Sequence, residues 1–335
     1  METGIGGKMN KNFWKDKKIL ITGFEGFLGS NLTKELLKVK ARVIGLDINV
    51  FRKATILSPQ DYKEMVVYKG NVTNYNLLQS ILRKHSINLI FHLAAEAIVG
   101  RSYDNPRKAF KSNITGTWEV LEAAREQGNI QAIVVASSDK AYGSHKKLPY
   151  QEDAPLIANH PYDVSKSCGD LIAHAYAHTY GLPIAITRCG NIYGPGDFNF
   201  SRLIPDAMRC LFKGKILPVR SDGKFIRDYV YVDDIVDGYL RIAELLKNKK
   251  ITGESFNLSN ESPLTVIALL QKINKLNLSD NKLNYRILDL AKYEIKKQYL
   301  SSIKAKRVLG WKPAYNLDDG LKKAAGWYFS YFSKR

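Results

Sequence analysis

Residues Lys18–Ser30 read KILITGFEGFLGS. The first five residues have the apolar composition of a short buried strand, and a helical pattern begins at Gly29. Gly23, Gly26 and Gly29 give the spacing GxxGxxG. In such a turn the first glycine permits a sharp bend, the second lets a pyrophosphate approach the backbone, and the third lets the helix pack closely. The helix N-terminus offers N–H groups to phosphates, so the stretch predicts a dinucleotide-binding turn rather than a plain glycine turn.

The residues downstream alternate between short apolar runs and helical patterns. Strands are predicted at Lys18–Thr22, Ala41–Asp47, Asn88–Ala94, Gln131–Ala136 and Pro183–Arg188, and helices at Gly29–Lys38, Tyr75–Lys84, Pro106–Glu126 and Asp163–Tyr180. This alternation is typical of a parallel sheet that helices cover on both faces. The sequence therefore predicts the doubly wound, Rossmann-type α/β class.

The alternation ends after Asn191, where short strands and polar turns begin. The helices predicted beyond it are Arg202–Lys213, Asp233–Leu246 and Leu264–Leu276. We predict a dinucleotide-binding domain made of residues 1–195 plus 226–250. A smaller substrate-binding lobe is predicted from residues 196–225 plus 251–335. The cleft between the two is the expected active site.

Asp47 ends the second predicted strand, 18 residues after Gly29. An acid at this position is expected to accept hydrogen bonds from the adenosine ribose hydroxyls and to repel a 2′-phosphate. Asp47 therefore favours NAD over NADP. Arg52 and Lys53 follow and could bind a 2′-phosphate, so the sequence leaves NADP open.

The composition is that of an ordinary globular protein, with 45% hydrophobic and 25% charged residues among 335. The formal charge of +19 suggests nucleic acid, but the lysines are scattered, with short clusters at Lys15–Lys18, Lys247–Lys250 and Lys296–Lys297. Nucleic-acid binding needs a concentrated basic patch, so we expect no nucleic-acid partner. We interpret the charge as a solvated surface that also attracts anionic small molecules.

The sequence also indicates the compartment. No stretch reaches the ~18 continuous apolar residues that a membrane span requires, and Met1–Lys18 lacks the apolar core of a signal peptide. Cys168, Cys189 and Cys210 form no CxxC pair, which argues against a disulfide framework or a zinc site and suits a reducing compartment. We therefore expect a cytoplasmic protein with no membrane partner.

Tyr162 and Lys166 lie four residues apart in YDVSK. On a helix they share one face. An ammonium beside a phenol is expected to lower the pKa of the phenol, which makes Tyr162 a usable base near neutral pH. A predicted strand ends just before Ser137–Lys140, and the carboxyl ends of parallel strands face the ligand crevice. We therefore expect this SSDK segment to lie beside Tyr162 in the site.

With these motifs in order, the chain resembles the extended short-chain dehydrogenase/reductases over almost its whole length. The matching motifs are GFEGFLG at Gly23–Gly29, HLAA at His92–Ala95, NITGT at Asn113–Thr117, SS at Ser137–Ser138, YDVSK at Tyr162–Lys166, RCGNIYGPGD at Arg188–Asp197 and RDYVYVDD at Arg227–Asp234. The resemblance implies an NAD cofactor and a nucleotide-sugar substrate in the C-terminal lobe. It also implies a homodimer or dimer of dimers built on the helices Pro106–Glu126 and Asp163–Tyr180.

The resemblance also assigns individual site residues. The residues expected to contact the cofactor are Gly23, Glu25, Gly26, Phe27, Leu28, Gly29, Asp47, Asn71, Val72, Leu93, Ala94, Ala95, Asn113, Tyr162 and Lys166. The residues expected to contact the substrate are Glu96, Asn191, Arg202, Arg220, Arg227 and Tyr299. Arginine side chains match phosphate oxygens, although surface salt bridges are the alternative for all three arginines. No metal is expected, because the helix face of Asp170, His174 and His178 is assigned to solvent or a partner.

The residues after the serines distinguish members of this family. Asp139-Lys140 resembles the pair found in CDP-glucose 4,6-dehydratases, and the segments LPYQEDAPL and GNIYGPGDFNFSRLIP are similar to theirs. In that reaction Tyr162, with Ser138 and Lys166, removes the C4 hydroxyl proton while hydride passes to NAD. Lys140 then takes the C5 proton, Asp139 protonates the leaving C6 hydroxyl, and hydride returns to C6. A solvated Asp139–Lys140 ion pair is the structural alternative.

Three other functions remain open. A nucleotide-sugar 4-epimerase would use the same tyrosine and NAD, but would not need Asp139 and Lys140. A UDP-sugar 4,6-dehydratase with an Asp-Lys pair also resembles this chain. A non-enzymatic NAD-binding sensor is expected to have lost the tyrosine or the lysine, whereas Tyr162 and Lys166 are both present.

Overall fold

The computed structural model describes residues 10–248, 250–291 and 294–334. Its strands, in chain order, are β1 (Lys18–Thr22), β2 (Arg42–Asp47), β3 (Val66–Lys69), β4 (Leu89–His92), β5 (Ala132–Ala136), β6 (Ile184–Cys189), β7 (Asn191–Tyr193), β8 (Leu217–Val219), β9 (Ile226–Arg227), β10 (Tyr229–Tyr231), β11 (Ser255–Leu258), β12 (Leu264–Thr265) and β13 (Tyr285–Ile287). Half of the Met1–Lys18 segment, and Lys249 within the Lys247–Lys250 cluster, lie outside the described residues.

The helices, in chain order, are α1 (Lys11–Trp14), α2 (Phe27–Lys38), α3 (Pro59–Lys63), α4 (Tyr75–His85), α5 (Val99–Asp104), α6 (Pro106–Phe110), α7 (Gly116–Gln127), α8 (Pro161–Tyr180), α9 (Leu203–Lys213), α10 (Val232–Leu246), α11 (Val266–Lys275), α12 (Ile303–Leu309) and α13 (Leu317–Ser333). A π-helical turn at Lys111–Thr115 joins α6 to α7, and a 3₁₀ turn at Asp139–Tyr142 follows β5. Among the described helices, none is long and apolar enough to cross a membrane.

Strands β1–β6 and β11 form one parallel sheet in the order β11-β6-β5-β4-β1-β2-β3. The chain runs from β1 to β3 on one side and then from β4 to β11 on the other, so the order reverses between β1 and β4. The predicted doubly wound, Rossmann-type class is confirmed. In such sheets ligands bind outside the carboxyl ends of the strands at the point of reversal.

Alternate residues of the central strands enter two different cores. In β1, Ile19 and Ile21 pack with α2 and α10, whereas Leu20 packs on the other face with α4, α7 and α8. Successive side chains of a strand point to opposite faces, so a strand that is buried on both faces must be apolar throughout. Burying each such side chain contributes roughly 1.5–3 kcal/mol, and the two cores hold the strand ends in fixed positions.

A third core lies in the C-terminal part of the chain. Helices α9, α11 and α13 supply most of its apolar side chains, with the short strand pairs β7–β10, β8–β13 and β9–β12 around them. Tyr328 in α13 donates a hydrogen bond to the Asp197 carbonyl at 2.7 Å, which ties this lobe to the loop after β7. This lobe therefore borders the carboxyl ends of the central strands.

The predicted elements agree with the structure to about two residues at each end, with one interruption, and the structure also has elements that were not predicted, including the helices α1, α3, α5, α12 and α13. The predicted helix Pro106–Glu126 is interrupted by the π-helical turn, whose wider backbone turns Asn113 inward. Strand β3 was not expected. Strand β11 was also not expected, and it lies within residues 251–335 of the predicted second lobe although it pairs with β6 in the central sheet. Its pairing satisfies the backbone groups of β6 that would otherwise be an open sheet edge. The remaining domain division stays a prediction.

Candidate active site

The loop between β1 and α2 forms a narrow backbone cradle. Gly23 has a φ of +76°, which residues with a side chain rarely adopt. A Cβ at this position would lie 2.8 Å from the Ala94 nitrogen. A Cβ at Gly29 would lie 2.2 Å from the Gly23 carbonyl oxygen. Gly26 is the N-cap of α2, whose first N–H groups lack intrahelical partners. The close approaches expected at Gly23 and Gly29 are therefore present, and the cradle has the form that a pyrophosphate requires.

Asp47 lies beside this cradle at the carboxyl end of β2. Its buried carboxylate accepts hydrogen bonds from the backbone N–H of Glu25 at 3.3 Å and of Asn49 at 3.0 Å. Arg52, which was a candidate for a 2′-phosphate, has its guanidinium 3.4 Å from the same carboxylate. Asp47 thus connects the glycine turn to the loop after β2, where an adenosine ribose is expected.

Glu25 holds the same loop from inside the glycine turn. Its Oε1 accepts hydrogen bonds from the Phe51 backbone N–H and from the Tyr62 hydroxyl, both at 2.7 Å. Its Oε2 is buried and has no hydrogen-bond partner in the described part of the chain. A buried carboxylate oxygen is costly when unpaired, so this atom is an acceptor suited to a hydroxyl or amine of a bound nucleotide.

Further residues predicted to contact the cofactor follow β3 and β4. Residues 71–72 lie directly beyond β3, with Asn71 exposed and Val72 buried. Residues 93–95 lie beyond β4 and are partly exposed, with the Ala94 nitrogen beside Gly23. Residues 93–95 therefore lie beside the glycine turn, where the strand order reverses, whereas residues 71–72 follow β3, the last strand of the sheet.

Asn113 shapes the loop after β4 from the π-helical turn. It is 3% exposed, and its Oδ1 accepts a hydrogen bond from the Glu96 N–H at 2.7 Å. Its Nδ2 donates to the Glu96 carbonyl at 3.1 Å and to the Ser165 hydroxyl at 2.8 Å. Both ends of the amide are engaged within the protein. Glu96, a predicted substrate residue, forms an ion pair with Lys108 at 3.2 Å.

The 3₁₀ turn after β5 presents three candidate catalytic residues. Ser138 donates a hydrogen bond to the Asp139 carboxylate at 3.1 Å and accepts one from the Lys140 backbone at 3.2 Å. Burial raises the pKa of Asp139, while the charges of Lys140 and Arg227 act in the opposite direction. The Lys140 ammonium donates to the Gln298 side chain at 3.4 Å. The alternative of a solvated Asp139–Lys140 ion pair is wrong, because Asp139 is only 6% exposed.

Tyr162 and Lys166 lie one turn apart near the start of α8, as the spacing predicts. Each is 8% exposed. The Lys166 ammonium donates a hydrogen bond to the Ala136 carbonyl at 2.8 Å, which ties α8 to the end of β5. The Ser138 hydroxyl is close enough to the Tyr162 phenol to act on its pKa. The structure thus brings the predicted serine, tyrosine and lysine together at one edge of the sheet.

The expectation that Lys166 lowers the pKa of Tyr162 towards neutrality is wrong for this structure. Burial raises the pKa of Tyr162 to about 12, against smaller opposing effects of the Ser138 hydrogen bond and the charge of Arg202. Burial also lowers the pKa of Lys166 to about 8. Removing the phenol from water penalises the phenolate more than the neighbouring groups stabilise it, so Tyr162 needs additional positive charge to act as a base.

Sequence patterns do not predict two buried polar residues of this site. Asp163 follows Tyr162 directly and is 3% exposed. Gln298 is 1% exposed and accepts the hydrogen bond from Lys140 across 158 positions of sequence. An acid in the first turn of a helix usually interacts with the helix dipole at the surface, so the pattern gives no reason to expect Asp163 inside. No local signal identifies Gln298.

The three arginines predicted to bind phosphate have different environments. Arg227 is mostly buried, lies 3.6 Å from Glu294, and its charge acts on the pKa of Asp139. Arg202 is partly exposed and forms an ion pair with Asp197 at 3.2 Å. The charge of Arg202 also acts on the pKa of Tyr162. Arg220 is exposed. Arg227 and Arg202 therefore lie close to the catalytic candidates, whereas Arg220 lies on the protein surface.

The two remaining substrate candidates are partly exposed. The Asn191 side chain donates a hydrogen bond to the Asp228 carbonyl at 3.2 Å, and so joins β7 to the turn before β10. The Tyr299 carbonyl accepts a hydrogen bond from the Tyr150 backbone at 3.0 Å. Tyr299 directly follows Gln298, so its segment is fixed beside Lys140. Contact of either residue with a substrate stays a prediction.

On the helix face with two histidines, Asp170 and His174 are engaged by protein contacts, whereas His178 is exposed. Asp170 accepts two hydrogen bonds from Arg188, each at 2.8 Å. His174 Nε2 lies 3.0 Å from the Ser255 hydroxyl. Among the residues that the structure describes, no group of three His, Cys, Asp or Glu side chains could hold a metal ion.

Comparison with known proteins gives the family. The family model of GDP-mannose 4,6 dehydratase matches residues 20–324. The chain is 28% identical to the CDP-glucose 4,6-dehydratase of Salmonella typhimurium, over 96% of this chain and 92% of that protein. It is 29% identical to a trifunctional UDP-glucose 4,6-dehydratase/UDP-4-keto-6-deoxy-D-glucose 3,5-epimerase/UDP-4-keto-L-rhamnose-reductase of Arabidopsis thaliana over 93% of this chain. This chain spans about half, 47%, of the length of that relative.

Solved structures share the fold over nearly the whole chain. The dTDP-glucose 4,6-dehydratase of Bacillus anthracis in complex with NAD has a TM-score of 0.81 and 28% identity, covering 94% of this chain and 97% of that one. The UDP-glucose 4-epimerase of Thermotoga maritima with UDP-glucose has a TM-score of 0.85 and 27% identity, covering 94% of this chain and 99% of that one.

The parallel sheet, the glycine turn and the Ser138, Tyr162 and Lys166 arrangement define an extended short-chain dehydrogenase/reductase. Since the match to the family model extends over most of the chain, the protein belongs to the GDP-mannose 4,6 dehydratase family.

Proposed function

We propose that this protein is an NAD-dependent nucleotide-hexose 4,6-dehydratase, a lyase whose substrate is CDP-D-glucose. The observation that carries the proposal is the buried Asp139 carboxyl, which stands beside Lys140 on the turn that also presents Ser138 to Tyr162. An elimination needs an acid and a base in addition to the groups that oxidise an alcohol. This site offers both sets.

The cofactor assignment rests on the glycine turn and Asp47. The backbone cradle suits a pyrophosphate, and the Glu25 Oε2 atom is a buried acceptor at the adenosine end. The NAD complex of the Bacillus anthracis dehydratase supports the same cofactor. The chemistry that NAD supplies, when bound, is acceptance of a hydride by a positively charged ring and return of that hydride later.

The first step proposed for the protein is oxidation at C4 of the hexose. Tyr162 takes the proton of the C4 hydroxyl, and Ser138 hydrogen-bonds the oxygen as it becomes a ketone. Lys166, held at the Ala136 carbonyl, adds positive charge on the same helix face. Tyr162 is neutral in the free protein because burial raises its pKa to about 12. The positive charge of a bound nicotinamide ring would further favour the base form of Tyr162.

The second step is loss of water across C5 and C6. The C4 ketone acidifies the C5 proton, which Lys140 takes. Asp139 gives a proton to the C6 hydroxyl, which leaves as water, and a C5–C6 double bond forms. Burial raises the pKa of Asp139, which favours the protonated form that an acid needs. Return of hydride to C6 and of a proton to C5 gives the 4-keto-6-deoxy sugar with no net redox change.

The choice of nucleotide rests on resemblance. The Asp139-Lys140 pair is similar to that of CDP-glucose 4,6-dehydratases, and the Salmonella typhimurium enzyme of that name supports this choice at 28% identity. Arg202, Arg220, Arg227, Asn191 and Tyr299 are the residues proposed to hold the nucleotide diphosphate and sugar. The product belongs to the class of intermediates used for deoxysugars of surface polysaccharides.

A dimer is the proposed assembly. Two apolar side chains on helices α7 and α8 are unusually exposed, Trp118 at 43% and Leu171 at 56%. Exposed apolar side chains grouped on neighbouring helices mark protein interfaces. The mass of the purified protein in solution tests this assembly, and a monomer at working concentration would contradict it.

The function is tested by incubating NAD-loaded protein with CDP-, UDP-, dTDP- and GDP-hexoses and measuring product mass. The expected result is loss of one water from CDP-glucose, with little reaction of the others. Loss of water from a UDP-hexose instead would replace CDP as the substrate nucleotide. A C4 epimer of unchanged mass would establish the alternative, a 4-epimerase, for which Asp139 and Lys140 have no role.

A further inference from the structure

Asp163 is a second buried acid beside the site, and the sequence alone gives it no role. It is 3% exposed and follows Tyr162 directly in the first turn of α8. Its Oδ1 atom is buried and has no hydrogen-bond partner among the described residues. A carboxylate oxygen left unpaired inside a protein costs folding free energy, so its retention calls for an explanation.

The helix face that carries Asp163 packs on the catalytic turn. Ser167 lies four residues later, and residues four apart on a helix share a face. The Ser167 hydroxyl donates a hydrogen bond to the Ala141 carbonyl at 2.8 Å and to the Asp163 carbonyl at 3.1 Å. Ala141 belongs to the 3₁₀ turn that begins with Asp139 and Lys140. Asp163 therefore faces that turn rather than solvent.

The charged groups around Asp163 come from each element that packs on it. Burial raises the pKa of Asp163 to about 6. Lys140 of the turn and His160 of its own helix cap lower that pKa, whereas Asp139 of the turn and Glu294 of the second lobe raise it. Asp139 in turn faces Lys140 and Arg227. Asp163 is thus ionised at neutral pH and interacts with both members of the elimination pair.

We propose that Asp163 is a positioning residue for the elimination step, an inference that rests on the proposed dehydratase function. Its negative charge stabilises the ammonium that Lys140 forms when it takes the C5 proton. The same charge opposes ionisation of Asp139, which keeps the proton that the leaving C6 hydroxyl needs. Asp163 contacts neither reacting carbon in this account and acts on the elimination through these two neighbours.

The substitution Asp163→Asn tests this role because it removes the charge and keeps the shape. Without the charge, less opposes ionisation of Asp139, so its carboxyl loses its proton at lower pH. The limb of the pH profile of dehydration that reports ionisation of Asp139 should therefore move to lower pH, by about one unit, and dehydration above that limb should slow by about tenfold. The charge of Asp163 also raises the pKa of Tyr162, so C4 oxidation, followed as reduced NAD formed in a single turnover, should not slow in the variant.

Two variants control the measurement. Asp153→Asn makes the same substitution at an exposed aspartate of the preceding loop and should leave the pH profile of the wild type. Asp163→Glu keeps the charge, so its pH profile of dehydration should rise and fall at the same pH values as that of the wild type, even if its dehydration rate is lower. If Asp163→Asn does not fold, Asp163→Thr removes the charge with a residue that is tolerated near helix N-termini, and the same shift is expected.

The outcomes separate this inference from the proposed function. A wild-type protein that forms no dehydrated sugar overturns the proposed function and the inference together. A wild-type protein that dehydrates, with a charge-free variant whose limbs coincide with the wild type, overturns only the inference. In that case a lower melting temperature of the variant would give Asp163 a purely structural role.

Discussion

Replacing Glu25 with alanine should weaken NAD binding through the loop that follows β2. Glu25 Oε1 accepts hydrogen bonds from the Phe51 N–H and the Tyr62 hydroxyl, both at 2.7 Å. Phe51 has a φ of +56°, a left-handed conformation that disfavours residues with a side chain. The loop is held in this conformation by contacts that include the Glu25 carboxylate, so their loss lets it relax away from the adenosine end.

The size of the effect follows from the two hydrogen bonds. A hydrogen bond to a charged group contributes about 1.5–3 kcal/mol, and a difference of about 1.4 kcal/mol is tenfold in affinity. One such bond therefore sets the minimum, and Glu25→Ala should weaken NAD binding by at least about tenfold. Glu25→Gln keeps a neutral acceptor of the same shape and should lose less. Glu64→Ala, at an exposed glutamate after α3, is the matched control.

Isothermal titration calorimetry with NAD measures the difference. The expected order of affinity is wild type and Glu64→Ala, then Glu25→Gln, then Glu25→Ala. A folded Glu25→Ala protein that binds NAD within about twofold of the wild type would refute the reasoning, because the loop after β2 would then not depend on Glu25.

Three further predictions concern the catalytic helix and turn. Tyr162→Phe should reduce turnover by about 100- to 10,000-fold while NAD still binds. Product assays check this against Tyr180→Phe, which changes an exposed tyrosine of α8, and near-normal turnover of Tyr162→Phe would exclude Tyr162 as the base. The double variant Asp139→Asn, Lys140→Ala should lose water from CDP-glucose at least about 100-fold more slowly than the wild type. Reduced NAD should still accumulate when this variant is mixed with CDP-glucose. Dehydration at the wild-type rate would contradict the proposed roles of both residues. Burial lowers the pKa of Lys166 to about 8, from 10.5 in the unfolded chain. Between these two pH values the unfolded state binds more protons than the folded state. The free energy of unfolding should therefore rise with pH across this range, by on the order of 3 kcal/mol. Urea titrations of Lys166→Met should lack this part of the rise, and identical pH dependence in both proteins would contradict a buried ammonium.

The sequence predicts the local parts of the fold and site well. Strand β1 has the predicted bounds, and the close approaches of Gly23 and Gly29 are those that the spacing requires. The helical spacing of Tyr162 and Lys166 is confirmed. These features depend on neighbouring residues only, because a buried strand, a glycine turn and a helix face are each specified within a few positions.

Features that depend on distant parts of the chain could not be predicted in this way. Strand β11 has four residues, and only its pairing with β6 identifies it as part of the central sheet. The pKa of Tyr162 depends on how deeply α8 is buried, which outweighs the lysine one turn away. Asn113 faces inward because of a π-helical turn that helix periodicity does not reveal. Gln298 reaches Lys140 only after the second lobe has packed against the first.

The most direct test of the account is the reaction of CDP-glucose with the NAD-loaded wild-type protein in deuterated water. Lys140 is proposed to remove the C5 proton and Asp139 to release the C6 hydroxyl as water. The account predicts a 4-keto-6-deoxy product that has lost one water and carries solvent deuterium at C5, with no net formation of reduced NAD. A product of unchanged mass, or one without deuterium at C5, would contradict it.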